Sequence, residues 1–233
     1  MQVAQAQIRT VAATGSTNDD VAALARDGAL EGLWLRAERQ VGGRGRQGRI
    51  WVSPPGNLYA STLVRLQPED PPAPTLALLA AVALHEAVAA FAKGVTIKWP
   101  NDLVADGAKL AGILLERQLN AVILGFGVNL AEHPDIPGRT VTSLKALTGT
   151  APDPAAFVES LAAIFARWLQ RWRDEGHAPV LDQWQAAAHP PGTPLSTPEG
   201  DGLYDGLDDS GALRLRLADG SSRVIHAGDV FLI

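Results

Sequence analysis

The chain has 233 residues, 46% of them hydrophobic, so it can bury the core of one large domain or of one domain and a small module. Its net charge is −5, and only residues 44–49 concentrate positive charge, which argues against a general nucleic-acid binder. The absence of cysteine excludes disulfides, a thiolate zinc site and a cysteine nucleophile.

Neither targeting nor membrane insertion is indicated. Residues 1–7 lack the basic and apolar regions of a signal peptide. The longest apolar run, at 76–88, is interrupted by His85 and Glu86 and is too short to span a bilayer comfortably. We therefore expect a soluble cytoplasmic protein that binds neither DNA nor membranes.

The first predicted elements are a short strand at 8–13 and a helix at 21–28 that ends in glycine. Ser16, Thr17 and Asn18 precede this helix. Such residues favour a helix N-cap, where their side chains bond to free backbone N–H groups. The same side chains and N–H groups can also face a polar ligand. The sequence leaves both interpretations open.

A loop rich in glycine and arginine, at 37–51, follows an apolar strand at 32–36. Glycine lets the backbone approach a ligand closely, and arginine offers a planar fork of donors to carboxylate or phosphate oxygens. The pattern predicts an anion-binding active-site loop. The alternatives are a solvated turn or a disordered nucleic-acid tether, but a predicted strand at 57–64 places the loop inside a folded domain.

The middle of the chain predicts a buried helix and the rest of the sheet. Residues 75–93 are apolar on nearly every side of a helix. A strand at 95–98 leads to Asn101 and Asp102, which we expect at a turn because Pro100 ends the ladder.

Two apolar runs, at 109–116 and 121–130, predict an antiparallel hairpin. Gly112, Gly125 and Gly127 fall within these runs. A glycine inside a strand marks either a bulge or a close approach to the backbone. These glycines therefore indicate either irregular strands or room for a ligand across the sheet.

The last third of the chain predicts helices and then a small β module. Asp153 and Pro154 begin a helix that extends to about residue 174, and a shorter helix covers 178–188. After a linker at 189–192, short strands alternate with Gly/Asp turns, as in a small barrel. We expect a catalytic domain at 1–188 and a barrel domain at 189–233.

Five motifs stand in order along the chain: STN at 16–18, GRGRQGR at 43–49, KWPND at 98–102, KLAGI at 109–113 and GFGVN at 125–129. Together they resemble the motifs of biotin–protein ligases. One of them alone would be weak support, whereas five in register are specific. Gln47 stands where that family frequently has arginine, so we do not expect it to be essential.

The resemblance implies an α+β fold, with a mixed sheet and helices similar to class II aminoacyl-tRNA synthetases plus an SH3-like C-terminal barrel. It implies that biotin and MgATP give biotinyl-5′-AMP, and that a lysine of a biotin carboxyl carrier protein then accepts the biotinyl group. Because the first strand begins near residue 8, we expect the monofunctional type without an N-terminal DNA-binding domain. Members occur as monomers and as homodimers.

The resemblance also implies roles for individual residues. Lys109, Arg46 and Asp102 are the expected catalytic residues, with Asp102 near Mg²⁺. For Trp51, simple packing is an equal alternative to a role at the closing loop. The residues expected to bind biotin or the adenylate are Ser16, Thr17, Asn18, Gln40, Gly43, Arg44, Gly45, Arg46, Trp51, Lys109, Gly112 and Asn129.

Two other functions fit a similar architecture. One is a lipoate or octanoyl ligase, which usually carries a different Arg-Arg/Gly-Gly motif and a histidine that this sequence lacks. The other is a biotin-binding module without turnover, which would not require Lys109 and Asp102. Biotin-dependent exchange of pyrophosphate with ATP distinguishes the three.

Overall fold

Two β-sheets organise residues 6–232, the part of the chain that the computed structural model describes. The strands of the larger sheet are β1 (Gln7–Val11), β2 (Leu33–Ala37), β3 (Leu58–Arg65), β4 (Val95–Lys98), β5 (Asp102–Ala105), β6 (Ala108–Gln118) and β7 (Ala121–Val128). Their spatial order is β1-β2-β3-β7-β6-β5-β4. The β1–β2 pair is parallel and the other pairs are antiparallel, so the sheet is mixed.

Helices cover both faces of this sheet. Because successive side chains of a strand point to opposite faces, Leu33 and Leu35 of β2 pack with Val21, whereas Trp34 between them stacks on Phe126 at 5.4 Å. None of the helices among the described residues has the length and hydropathy that crossing a bilayer requires. The helices are α1 (Thr17–Arg26), α2 (Leu76–Ala89), α3 (Leu144–Thr148), α4 (Pro154–Glu175) and α5 (Ala178–Ala187).

The long helix α4 begins and packs as its sequence predicts. Asp153 Oδ1 accepts hydrogen bonds from the N–H groups of Ala155 and Ala156, both at 2.9 Å, and so caps the first turn. Near its other end, Trp172 is fully buried and its Nε1 donates to Thr75 Oγ1 at 2.8 Å. This bond ties α4 to the start of the buried helix α2.

The smaller sheet follows α5. Its strands are β8 (Pro194–Thr197), β9 (Gly200–Leu207), β10 (Leu213–Arg216), β11 (Ser222–Ile225) and β12 (Phe231–Leu232), in the antiparallel order β11-β10-β9-β8-β12. Trp99 Nε1 donates to the carbonyl of Gly211 at 3.1 Å, and Leu213 and Leu215 belong to the same hydrophobic core as α2. The small sheet is therefore packed directly on the larger unit.

The predicted hairpin is confirmed as β6 and β7, whose register is regular from Ala111 opposite Val128 to Gln118 opposite Ala121. The predicted helices at 75–93, 153–174 and 178–188 are also present, as α2, α4 and α5. The short elements β5 and α3 were not predicted, because four or five residues carry too little periodicity. The prediction of a turn at 101–102 was therefore right for Asn101 and wrong for Asp102, which is the first residue of β5. The domain boundary at 188/189 stays a prediction.

Candidate active site

A cavity of about 340 Å³ lies on the larger sheet beneath the glycine- and arginine-rich loop. The start of α1 and the strands β6 and β7 contribute to its lining, as do residues 229–232, which include β12 of the small sheet. Twelve of the thirteen residues expected in the site line this cavity: Ser16, Thr17, Asn18, Gln40, Arg44, Gly45, Arg46, Trp51, Asp102, Lys109, Gly112 and Asn129. The sequence motifs therefore meet in one place.

Gln40 completes the beginning of helix α1. Ser16 is the N-cap residue, but its side chain makes no capping hydrogen bond. Instead, Gln40 Oε1 accepts from the Thr17 backbone N–H at 2.9 Å and from its hydroxyl at 3.1 Å. The Ser16 hydroxyl is thereby left out of the cap, at a position that lines the cavity. Simple side-chain capping therefore does not describe Ser16, and the ligand-facing interpretation of 16–18 stays a prediction.

Behind this wall lies a chain of polar side chains. Ser61 Oγ is 2.7 Å from both Thr17 Oγ1 and Asn18 Oδ1, and Asn18 Nδ2 donates to Glu116 Oε2 at 2.7 Å. Ser61 is fully buried and Asn18 is nearly so. A buried polar group without a partner is costly, so these bonds fix the side chains in one arrangement.

The three glycines of the hairpin make room for protein side chains. A methyl group at Gly125 would lie 2.2 Å from Asn18 Oδ1, and one at Gly127 would lie 2.6 Å from Trp51 Cε2. At Gly112 it would lie 3.2 Å from both Trp51 Cζ3 and Lys109 Nζ. Since the β6–β7 register is regular, these glycines mark close approach and not bulges.

Lys109 and Asp102 form an ion pair in the cavity. Lys109 Nζ lies 2.7 Å from Asp102 Oδ1 and 5.5 Å from the centre of the Trp51 ring. Both charged side chains are mostly buried, at 28% and 19% exposure. The site thus holds a positioned cation under an aromatic cover, within reach of the loop.

The two arginines expected to bind anions have different partners. Arg44 makes two 2.6 Å hydrogen bonds to the carboxylate of Asp19, and these bonds hold the pKa of Asp19 below its usual value. Arg46 donates to Asn101 Oδ1 at 3.3 Å and to the carbonyl of Gly228 at 3.2 Å. Asp229 Oδ1 is 4.0 Å from Arg46 Nη1 but is paired more closely with Arg49, so no carboxylate in the described part of the chain hydrogen-bonds to Arg46 and its charge can act on a bound anion.

Known proteins are similar to this chain in both sequence and fold. Residues 15–130 match the Biotin/lipoate A/B protein ligase family, and residues 201–233 match the Biotin protein ligase C terminal domain. A biotin--[acetyl-CoA-carboxylase] ligase of Paracoccus denitrificans is 41% identical over 95% of this chain and 98% of its own length. The chain belongs to the biotin protein ligase family.

Other biotin protein ligases are also similar to this chain in sequence or in fold. A biotin--[acetyl-CoA-carboxylase] ligase of Mycobacterium tuberculosis is 36% identical over 96% of this chain and 88% of its own. The Aquifex aeolicus biotin protein ligase in complex with biotin and ATP has the same fold, with a TM-score of 0.87, 23% identity and 97% and 99% of the two chains covered. The Leishmania major enzyme with biotinyl-5-AMP gives 0.70 at 25% identity over 95% and 99%. The predicted fold class is confirmed.

Two of the predicted site residues have a structural explanation of their own. Gly43 does not line the cavity, and a methyl group there would lie 2.7 Å from the carbonyl oxygen of Trp51, so the loop requires glycine for packing. Asn129 is nearly buried, and its Nδ2 donates to the carbonyl of Thr142 at 3.0 Å. Asn129 lines the cavity with its amide already engaged.

Several cavity residues were not in the predicted set. Lys98 and Asn101 belong to the KWPND motif, which was the available signal for them. Burial lowers the pKa of Lys98, and its Nζ lies 5.7 Å from the centre of the Phe231 ring. Asp229 pairs with Arg49 of the loop. No sequence pattern connects 229–231 with the loop, since the contact exists only after folding.

A metal ion finds few protein ligands here. Among residues 6–232, no three His, Asp or Glu side chains are grouped as a metal site. Mg²⁺ is often bound through one or two carboxylates together with substrate phosphates. Asp102 offers one such carboxylate in the cavity, with its Oδ1 2.7 Å from Lys109 Nζ.

Proposed function

We propose that this chain is an ATP-dependent, AMP-forming ligase that converts biotin to biotinyl-5′-AMP and transfers the biotinyl group to a lysine of a biotin carboxyl carrier protein. The observation that supports it most is the meeting, in one cavity, of the polar wall at 16–18 with Arg46 and Lys109. The family of the chain supports the same reaction. A cytoplasmic location, where ATP is available, is part of the proposal.

The first reaction brings two anions together. The carboxylate of biotin attacks the α-phosphorus of ATP, an acyl–phosphate bond forms, and the bond to pyrophosphate breaks. Two negative charges 4 Å apart repel by about 4 kcal/mol at an effective dielectric near 20. Arg46 and Lys109 supply fixed positive charge where this repulsion develops, so we assign them that role.

The remaining site residues have supporting roles in this proposal. Ser16, Thr17, Asn18 and Gln40 form the polar wall for the ureido ring of biotin. Gly45 and the neighbouring arginines close over the adenylate, and Gly112 gives Lys109 and Trp51 their room. Mg²⁺, which neutralises phosphate charge, would arrive with ATP and be held on the protein side by Asp102.

The second reaction needs no nucleophile from this chain. The amine of the carrier lysine attacks the acyl carbonyl of the adenylate, an amide forms, and AMP leaves. The mixed anhydride is sensitive to water, and the loop with Trp51 covers the cavity that would hold it. Positioning and exclusion of water therefore account for the contribution of the protein.

The decisive experiment measures exchange of labelled pyrophosphate into ATP. We expect exchange with biotin and none with lipoate. Lys109→Gln should lower the exchange rate by about 10²–10³, because it removes a charge that stabilises the transition state. Lys145→Gln is the matched control, since Lys145 is exposed and 3.7 Å from Glu132.

Each other outcome has a distinct meaning. Exchange with lipoate in place of biotin would assign the chain to the lipoate ligases. Binding of biotin without any exchange would indicate a binding module. Transfer is tested separately, by adding a carboxylase carrier domain and detecting biotin on its lysine; exchange without transfer would contradict only the second half of the proposal.

A further inference from the structure

Glu116 on β6 contacts two parts of the site at once. Its Oε2 accepts from Asn18 Nδ2 at 2.7 Å, and its Oε1 lies 3.5 Å from Arg44 Nη2. Asn18 belongs to the polar wall, whereas Arg44 belongs to the glycine- and arginine-rich loop. One carboxylate thus connects the polar wall to the glycine- and arginine-rich loop. Nothing in the sequence motifs assigns Glu116 a role.

The contact with Asn18 decides which way the Asn18 amide faces. An ionised carboxylate only accepts hydrogen bonds, so Glu116 requires the NH₂ group of Asn18 on its side. On the other side, the hydroxyl of Ser61 donates to Asn18 Oδ1 at 2.7 Å. A flipped amide would place its oxygen against the Glu116 carboxylate, acceptor against acceptor, whereas the Ser61 hydroxyl can turn to suit either group, so Glu116 decides the orientation. Gly125 leaves the space in which this amide sits.

The contact with Arg44 acts on the loop. Arg44 is held chiefly by Asp19, with two bonds of 2.6 Å, and Glu116 adds a second anion on the same guanidinium. Arg44 lies in the middle of the loop and lines the cavity, so its position helps to set where the loop crosses the cavity. The loop and the wall are in this way tied to the same carboxylate.

We propose that Glu116 is a positioning residue: it orients the Asn18 amide towards the bound biotin and anchors the closing loop through Arg44. This inference rests on the proposed function, because it requires that the wall at 16–18 receives biotin. It adds a residue that touches neither reactant but sets the geometry of two elements that do.

Three variants separate the two contacts. Glu116→Ala removes both. Glu116→Gln keeps an acceptor oxygen for Asn18 but places an uncharged amide beside Arg44. Asp19→Asn is the matched control, because it weakens the hold on Arg44 and leaves Asn18 and Glu116 intact. For each, the dissociation constant of biotin is measured by calorimetry, the KM and kcat by pyrophosphate exchange, and the loop by its rate of tryptic cleavage.

We expect Glu116→Ala to raise the biotin dissociation constant and the biotin KM by about tenfold, the size of one lost charge-assisted hydrogen bond. Its kcat and its KM for ATP should stay within about threefold, because Arg46 and Lys109 are untouched. Glu116→Gln should retain biotin affinity within about threefold, since the bond to Asn18 survives. Glu116→Gln and Asp19→Asn should both speed cleavage of the loop in the absence of biotin.

The inference is overturned if Glu116→Ala keeps the biotin KM of the unmodified chain, or if Glu116→Gln loses as much affinity as Glu116→Ala. The first result would show that Asn18 needs no orientation, and the second that only charge matters. If the unmodified chain binds biotin with these variant effects but catalyses no exchange, the positioning role stands and the proposed function fails. If it does not bind biotin, both fail.

Discussion

The indole of Trp51 rests directly on the bare backbone of Gly127. A methyl group at position 127 would lie 2.6 Å from Trp51 Cε2 and 2.7 Å from Cζ2, closer than any packed contact. Lys109, on the neighbouring strand β6, has its Nζ 5.5 Å from the centre of the same ring. The glycine of one strand therefore sets how deep the aromatic cover of the cavity can sit, and with it the surroundings of Lys109.

Gly127→Ala should displace Trp51 and lower the exchange rate by about 10², the cost of misplacing groups by roughly 1 Å. The free energy of unfolding should change little, because β7 accommodates alanine and Trp51 is only partly buried. Gly15→Ala is the control, since no atom lies within 4 Å of the added methyl group. Equal activity of Gly127→Ala and Gly15→Ala would show that the depth of Trp51 is irrelevant.

Residues that act through local pattern were predictable, and those that act through distant contacts were not. The start of α4 was predictable because a capping residue, Asp153, and a proline stand next to each other in the sequence. The STN and KLAGI motifs were likewise recognisable from their residue types alone. Glu116 resembles any charged residue on a strand until the fold sets it against Asn18. Asp229 meets Arg49 across 180 positions of sequence, a pairing that no local pattern encodes.

The hairpin glycines show the same limit in another form. The sequence indicated that Gly125 and Gly127 approach something closely, but not what. In the structure the neighbours are Asn18 and Trp51, which come from α1 and the loop. A glycine in a sequence indicates only that no side chain is present. Which residue occupies the space can be identified only from the tertiary structure.

Arg173 holds together three parts of the chain away from the cavity. Its guanidinium lies 2.6 Å from Glu31 and 3.0 Å from Asp70, whose side chain is 5% exposed. Arg173→Met should lower the free energy of unfolding by about 3 kcal/mol, because it leaves the buried Asp70 and the partly buried Glu31 without their counter-charge. Urea denaturation measures this, and the activity of the folded fraction should be unchanged.

Arg171 gives the matched control for that experiment on the same helix. Its pair with Glu175, at 3.0 Å, is exposed at 46% and 50%. Arg171→Met should therefore cost no more than about 0.5 kcal/mol. Equal losses for the two variants would mean that the buried network adds nothing beyond an ordinary surface pair.

Lys98 should make stability depend on alkaline pH. Burial lowers its pKa from the ordinary value of 10.5, despite the opposing attraction of Asp102. The unfolded chain then binds this proton more tightly than the folded chain, so the charge destabilises the fold at neutral pH and the cost disappears as pH rises towards 10.5. Relative to Lys98→Met, the unmodified chain should be less stable at neutral pH, by about 1 kcal/mol.

Urea denaturation of both proteins at neutral pH and near pH 10 checks the sign of this effect. The difference in free energy of unfolding between the unmodified chain and Lys98→Met should decrease as the pH rises. Lys93→Met is the control, because Lys93 is exposed and its removal should leave the pH dependence unaltered. A gap that widened with pH would show that Lys98 is stabilised, and not penalised, in its charged form.

Arg46 should govern how long the adenylate stays bound. Its guanidinium donates to the carbonyl of Gly228 and to Asn101 Oδ1, with Asp229 Oδ1 4.0 Å away, so its position is fixed at the cavity that it lines. Arg46→Ala should fold normally and still form biotinyl-5′-AMP, but release it about tenfold faster, since one charge-assisted hydrogen bond is lost. Filter binding of labelled adenylate measures the rate, with the exposed Arg39→Ala as control. An unchanged rate would mean that the loop closes over the adenylate without using this charge.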